Sequence, residues 1–459
     1  MSTVTGATIF ADKALLPKGW AENVAISLDG DGCIATVKSG AAPGGHQVGI
    51  LLPAPVNLHS HAFQRAMAGM SERRGEQARD SFWTWRQIMF RFLDALTPED
   101  VEAIAAFVQM EMLEAGYAGV GEFHYLHHQA GGTPYDNLAE LSERIVSAAQ
   151  ETGIGLTHLP VLYQYGGCDK RPLAPGQIRF GNDFDRFREL HDLASKALQS
   201  LPPDAVIGVA PHSLRAVDEH GLNSAVALAS DKPLHMHLSE QVAEVDEVLE
   251  ARGQRPVEWL LSHHDVSQNW CLIHCTQMTP DETVGLARSK AVAGLCPITE
   301  SSLGDGIFDG VRYLENMGRF GVGSDSNIRI SLSEELRTLE YSQRLRDKCR
   351  ASVATPEKST GRVLFEGVVS GGAQAAGRQA GAISEGNYAD LLALDQTALD
   401  LEGREGDEIL DSYIFAGDDG MVCDVWSAGR HVVQHGKHVK GDAIRSRYRS
   451  TMASLRSRL

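Results

Sequence analysis

The sequence predicts an α/β protein: a parallel (β/α)8 TIM-type barrel with a small β-sandwich domain formed from both termini. Three observations lead there. Eight short apolar segments alternate with helix-sized amphipathic connections, the order expected of a parallel sheet wound with helices. Ligand-type polar residues stand at the C-terminal tips of several of these segments. The two ends of the chain instead carry short alternating segments broken by Gly and Asp turn signals. A doubly wound open sheet is the structural competitor.

The elements follow in order. Residues 1–49 hold runs such as NVAISLDGDGCIATV, which read as strands outside the barrel. The run ILLPAPVNL (50–58) reads as the first buried strand. AGVGEFHYL (118–126), GLTHLPVLY (155–163), VIGVAP (206–211) and PLHMHL (233–238) supply the next four. WCLIHC (270–275), AVAGLC (291–296) and FGVGSD (320–325) complete the eight. The clearest helix starts after Thr97, an N-cap followed by Pro98 and the acidic pair Glu99–Asp100. Its apolar stripe of Val101, Ile104, Ala105, Val108 and Met112 ends near Gly116. Thr279-Pro280-Asp281-Glu282 repeats the start signal. Residues 381–440 return to strand-like runs, YADLLALD and MVCDVWSAGRHVVQHGKHV. The expected division is 1–53 for the N-terminal part of the sandwich, 54–372 for the barrel and 373–459 for the C-terminal part.

Composition narrows the function. The 459 residues include 60 acidic and 42 basic side chains, a formal charge of −18. Such a surface repels phosphate backbones and anionic lipid, so neither nucleic acid nor membrane is the expected partner. Seven cysteines, odd in number and without a CxxC pair, fit a reducing cytoplasm better than a disulfide framework. The N-terminal run lacks the features of a signal peptide, and no stretch is apolar enough to span a bilayer. A soluble, cytoplasmic protein is expected.

The chemistry starts at LHSHAFQR. His59 and His61 are two apart at the end of the first strand, so both imidazoles face one way and can reach one ion. A bare HxH is weak evidence, since two solvent-facing loop histidines would look the same. Its place improves the case, because barrel strands carry catalytic groups at their C-terminal ends. The other strand ends bear His212, His237, His274 and Asp325. Singly each could be a satisfied core or loop histidine; together they point to a metal site.

With PAPVNLHSHAFQR, LHMHLSEQ, CLIHC and GVGSDSN in view, the chain resembles the amidohydrolase superfamily and its zinc-dependent deaminase branch. The resemblance covers nearly the whole length. It implies His59, His61, His237 and Asp325 as ligands of one metal ion. His235 shares the parity of His237 but not its HxxE spacing, and reads as a packing or supporting residue. No lysine ends a predicted strand as a bridge between two metals, which favours one ion per subunit. Three imidazoles and a carboxylate suit Zn2+, with Fe2+ or Mn2+ as other candidates. Bound zinc lowers the pKa of water to about 7 and so supplies hydroxide at neutral pH. Asp325 is the expected proton acceptor, His274 shares that task or steadies charge, and Glu240 protonates the departing nitrogen. The competing reading of Glu240 is a helix-start carboxylate, because LSEQ also resembles a helix beginning.

Longer runs are similar to formimidoylglutamate deiminases within that superfamily: FWTWRQIMFRF, GEFHYLHH, APHSLRAV, PITESSLGDGIF and GSDSNIRISLSEELRTLEYSQRLR. This resemblance implies hydrolysis of N-formimino-L-glutamate to N-formyl-L-glutamate and ammonia, in histidine degradation. A small dicarboxylate substrate calls for arginines near the metal, since a guanidinium binds a carboxylate through two hydrogen bonds. Arg86 and Arg215 are the candidates, joined by Tyr125, Gln64 and His212 for carboxylate and formimino contacts. Guanine or S-adenosylhomocysteine deaminase is the enzymatic alternative, as FWTWR offers Trp83 and Trp85 for stacking. A non-catalytic scaffold is the alternative of another class, disfavoured because every metal and proton-transfer position holds a competent side chain. A homodimer is expected only from the relatives.

Overall fold

The structure is a computed structural model, and it describes residues 7–72 and 82–459. Eight parallel strands form the central body: β1 (Val56–Ser60), β2 (Gly119–His124), β3 (Gly155–Leu162), a broken β4 (Val206–Ile207 and Ala210–Pro211), β5 (Leu234–Leu238), β6 (Trp270–His274), β7 (Val292–Leu295) and β8 (Arg319–Val322). Continuous parallel ladders join β1 through β4 and, separately, β5 through β8. Isolated parallel bridges span both seams, Val209 to Leu234 on one side and Ser60 to Asp325 on the other. The strands therefore run round a ring. Leu58, Cys271, Ile273, Val292 and Cys296 pack together from different strands inside it, with Ala375 against them.

The helix after Thr97 runs Pro98–Glu114 and starts with the expected capping box, Thr97 and Asp100 each bonding the other's backbone. The helix after Thr279, Pro280–Arg288, starts the same way through Glu282. Each cap satisfies amides that a helix start leaves orphaned, a contribution of about 1 kcal/mol.

The expected first strand divides in two. His46–Pro53 belongs to the small sheet and Val56–Ser60 to the ring, with Pro53 and Pro55 bounding the break. Proline lacks an amide for a ladder and restricts the residue before it, so an apolar run of uniform appearance changes sheets there.

The termini meet in one eight-stranded mixed sheet. Its order is 437–438, 430–434, 422–427, 391–394, 46–53, 8–16, 19–28, 34–38. His46–Pro53 makes the junction, parallel to Thr8–Leu16 and antiparallel to Leu391–Leu394. Ile9, Val24, Ile26, Leu51, Leu391 and Trp426 form a core on one face. Leu15, Ile50, Leu52, Leu392 and Val433 join the main core on the other. A buried charge network ties this sheet to the ring. Arg378 pairs with Asp390 at 2.6 Å and Asp204 at 2.8 Å, and Arg430 pairs with Asp204 at 2.7 Å. Among the described residues no helix is long and apolar enough to cross a membrane.

Candidate metal centre and active site

The seam between β1 and β8 builds the site. Asp325 N donates to His59 O at 2.9 Å, and His61 N donates to Asp325 O at 3.0 Å. Side chains reinforce it: Asn57 Nδ2 donates to Ser324 Oγ at 2.7 Å, and Asn327 Nδ2 to Ser60 Oγ at 3.2 Å. Gly323 permits this closeness, since a Cβ there would stand 2.6 Å from His59 N. Residues at the strand ends are contorted to aim their side chains: Ser239, His274, Cys275, Asp325 and Asn327 all have positive φ. Such conformations cost on the order of 1–3 kcal/mol each and persist where the surroundings enforce them.

Four donors converge as a result. One atom from each of His59, His61, His237 and Asp325 lies within 4.8 Å of the others, and all four residues are buried. His59 Nε2 is 3.2 Å from His237 Nε2 and 3.4 Å from Asp325 Oδ1, and His61 Nε2 is 3.2 Å from Asp325 Oδ1. Donors about 2.0–2.2 Å from one zinc-like ion stand roughly 3–3.5 Å apart around a tetrahedron. The second ring nitrogens support the same geometry: His61 Nδ1 faces Phe123 O at 2.9 Å and His237 Nδ1 faces His212 O at 3.2 Å. Bonding those carbonyls makes Nδ1 the protonated nitrogen and leaves Nε2 as a lone-pair donor. Burial lowers the pKa of His59 to about 3 and holds His237 well below the usual range, so both are neutral bases. The residues fit a divalent ion.

A cluster of buried titratable side chains adjoins the four. His274 Nε2 is 3.8 Å from Glu240 Oε1 and 3.9 Å from Asp325 Oδ2, and its Nδ1 is 3.3 Å from Glu300 Oε1. Burial opposes its charge, but Glu240, Glu300 and Asp325 outweigh that and raise its pKa to about 10. Burial also pushes the Glu240 carboxyl above the usual range. Glu240 precedes the helix Val242–Arg252 instead of opening it. Glu244 takes the helix-start role, accepting the amides of Ser239 at 3.2 Å and Glu240 at 2.9 Å.

A cavity opens over these groups. All five sequence-predicted substrate residues line it: Gln64, Arg86, Tyr125, His212 and Arg215. Gln64 Nε2 donates to Tyr125 Oη at 2.8 Å. Arg86, on the helix Phe82–Asp94, donates to Tyr163 Oη at 2.8 Å. Trp85 lines the cavity too, whereas the side chain of Trp83 lies outside the described residues. His235 is elsewhere, its Nε2 bonded to Ala375 O at 2.8 Å beneath the ring.

Sequence reasoning missed several contributors. Glu300 braces His274, and Gln177 donates to Tyr163 Oη at 2.8 Å. Glu122 accepts Ala62 N at 2.8 Å beside His61, and burial lifts its pKa to about 7. Glu300 stood in the quoted run PITESSL, but nothing local marks it as the partner of a histidine 26 residues earlier.

The ring of parallel strands with a metal-competent mouth defines a class. The model of the amidohydrolase family matches residues 50–432, and the chain belongs to that family. Residues 7–47 match the N-terminal domain of formimidoylglutamate deiminase HutF. The chain is 46% identical over 434 residues to the formimidoylglutamate deiminase of Pseudomonas aeruginosa, covering 94% of this chain and 95% of that one. A 5-methylthioadenosine/S-adenosylhomocysteine deaminase from Natronomonas pharaonis is 26% identical, covering 76% of this chain and 74% of that one. The crystal structure of an amidohydrolase from Brucella melitensis matches with a TM-score of 0.94 at 46% identity, over 98% of this chain and 99% of that one.

Proposed function

We propose that this chain is a zinc-dependent formimidoylglutamate deiminase, hydrolysing N-formimino-L-glutamate to N-formyl-L-glutamate and ammonia. The observation that carries the reading is a four-donor metal cluster opening on a cavity lined by Arg86 and Arg215. The 46% identity to the Pseudomonas aeruginosa deiminase supports it.

His59, His61, His237 and Asp325 are the residues that would hold the ion. When bound, the ion supplies water acidified to a pKa of about 7. In the proposed mechanism the free Asp325 oxygen takes the proton of the attacking water. His274, held as an imidazolium by Glu240, Glu300 and Asp325, steadies the negative charge carried by the water oxygen as it adds to the formimino carbon. Glu240 takes the hydroxyl proton of the adduct and delivers it to the nitrogen, and Asp325 passes on the proton it took from water, the two protons that nitrogen needs to depart as ammonia. Arg86 and Arg215 bind the two carboxylates, helped by Tyr125, while Gln64 and His212 orient the formimino group. The two arginines in the lining favour a dicarboxylate over an uncharged purine. The homodimer expected from relatives belongs to the same proposal.

The test is ammonia release from N-formimino-L-glutamate, compared with guanine, S-adenosylhomocysteine and formimino acids one carbon shorter or longer. Preference for the glutamate compound is expected. Preference for a purine, or no turnover by metal-loaded protein, overturns the reading.

A further inference from the structure

Outside the ring mouth, three ligand-type side chains meet on the small sheet. His46 opens the strand His46–Pro53, Asp424 lies in Val422–Ser427, and His431 lies in Arg430–Gln434. One donor atom from each lies within 4.8 Å of the others. Both imidazoles aim Nε2 at the same carboxylate oxygen, Asp424 Oδ1, from 3.4 Å for His46 and 2.7 Å for His431.

The three are held by packing. Trp426 stacks on the His431 ring at 4.3 Å and meets the His46 ring edge-on at 5.4 Å. The two imidazoles stand 4.8 Å apart at 74°, so they approach the oxygen from different directions. Hairpin turns fix the strands beside them: Ala428–Gly429 and His435–Gly436 both have positive φ, as tight two-residue turns require. The group is also reachable. The His46 side chain is 42% exposed, while that of Asp424 is 8% exposed.

We propose that His46, Asp424 and His431 form a second divalent transition-metal site, distinct from the ring mouth. Two imidazoles and one carboxylate suit zinc, nickel or copper, whereas calcium and magnesium prefer oxygen donors throughout. Without an ion, the hydrogen bond from His431 Nε2 to Asp424 Oδ1 holds the pair. On binding, that Nε2 proton exchanges through solvent to Nδ1, the other tautomer of the neutral ring, and the Nε2 lone pair goes to the metal. The open side toward solvent leaves the remaining positions to water. The ion would join an N-terminal strand to two C-terminal strands, stabilising the sheet by mass action.

The rival is a purely structural His–Asp pair stacked on tryptophan, which holds no metal. The holoenzyme, equilibrated against micromolar Zn2+, separates the two by metal content per chain. Two zinc ions per chain are expected, falling to one in His46→Ala and in His431→Gln with kcat/KM unchanged. The second ion should also raise Tm in the parent chain and not in either variant. A single ion in the parent, or a second ion retained by both variants, overturns the proposal.

Discussion

Two histidine-rich regions of this molecule have opposite characters. At the ring mouth, His59, His61 and His237 converge with Asp325. At β2 and β3, the buried His124, His127, His128 and His158 also cluster, with ring centroids 5.3 to 6.1 Å apart among neighbours against 4.7 to 5.5 Å at the mouth. No carboxylate joins this second group in an ion pair among the described residues, and it does not bring three donors together. His127 Nε2 instead faces Val161 O at 3.0 Å, and His128 Nε2 faces Gly181 O at 2.9 Å. Burial drives His158 to a pKa of about 3 and His124 and His127 well below the usual range. Burial thus favours the neutral form of His59 and His237 in the first group as it does of these three in the second. Only the first has lone pairs aimed at one point with an anion to balance an ion's charge, so a site is made by convergence and charge, not by residue type.

Removing the anion should break this contrast most severely. Asp325→Asn should keep the fold by circular dichroism and lower kcat by roughly 10³-fold or more, as it loses both a ligand and the base. Retained turnover would make the mouth no more catalytic than the outer cluster. Glu240→Gln should lower kcat by about 10²–10³-fold with little change in KM, the mark of a group that moves a proton. An effect confined to KM would make it a substrate contact. Arg215→Met should raise KM for N-formimino-L-glutamate by about 10- to 100-fold, the worth of a charged hydrogen bond. Indifference would remove the carboxylate anchor.

The smallest effect concerns the outer cluster and is read in stability. Its histidines have native pKa values below the unfolded value of about 6.5, so the unfolded chain binds more protons as pH falls. Their stability is present above about pH 6.5 and is lost on acidification toward the native values, by at most about 1.4 kcal/mol per pH unit for each. For His158, with a native pKa of about 3, that loss should extend over most of the acid range. Urea unfolding of parent and His158→Asn between pH 7 and 5 measures it. The variant should show the shallower acid decline, and equal slopes would assign the pH dependence to other groups.

Much of this was legible in sequence because it is local. Periodicity gave the apolar strands, and Thr97 and Thr279 marked their helices through caps within four residues. The HxH pair follows from strand parity and position, and the resemblance to the amidohydrolase superfamily singles out His237 and Asp325 among the polar strand ends. What escaped depends on packing between distant elements. Gln177 reaches Tyr163 from 14 residues away, and Glu300 braces His274 across a helix-containing connection. The division at Pro53–Pro55 was hidden because both halves are apolar and fully buried toward the junction. Positive φ at His274 and Asp325 has no compositional signal either, since neither is the glycine that usually announces it.

The central claim is that His59, His61, His237 and Asp325 hold the one ion that turnover needs. Its most direct test is to strip the protein with a chelator, return Zn2+ in steps, and follow ammonia release from N-formimino-L-glutamate. The account predicts negligible activity without metal, a linear rise to one equivalent per chain and a plateau beyond, with no recovery in His237→Ala. Activity that survives stripping, or that returns equally in His237→Ala, would contradict it.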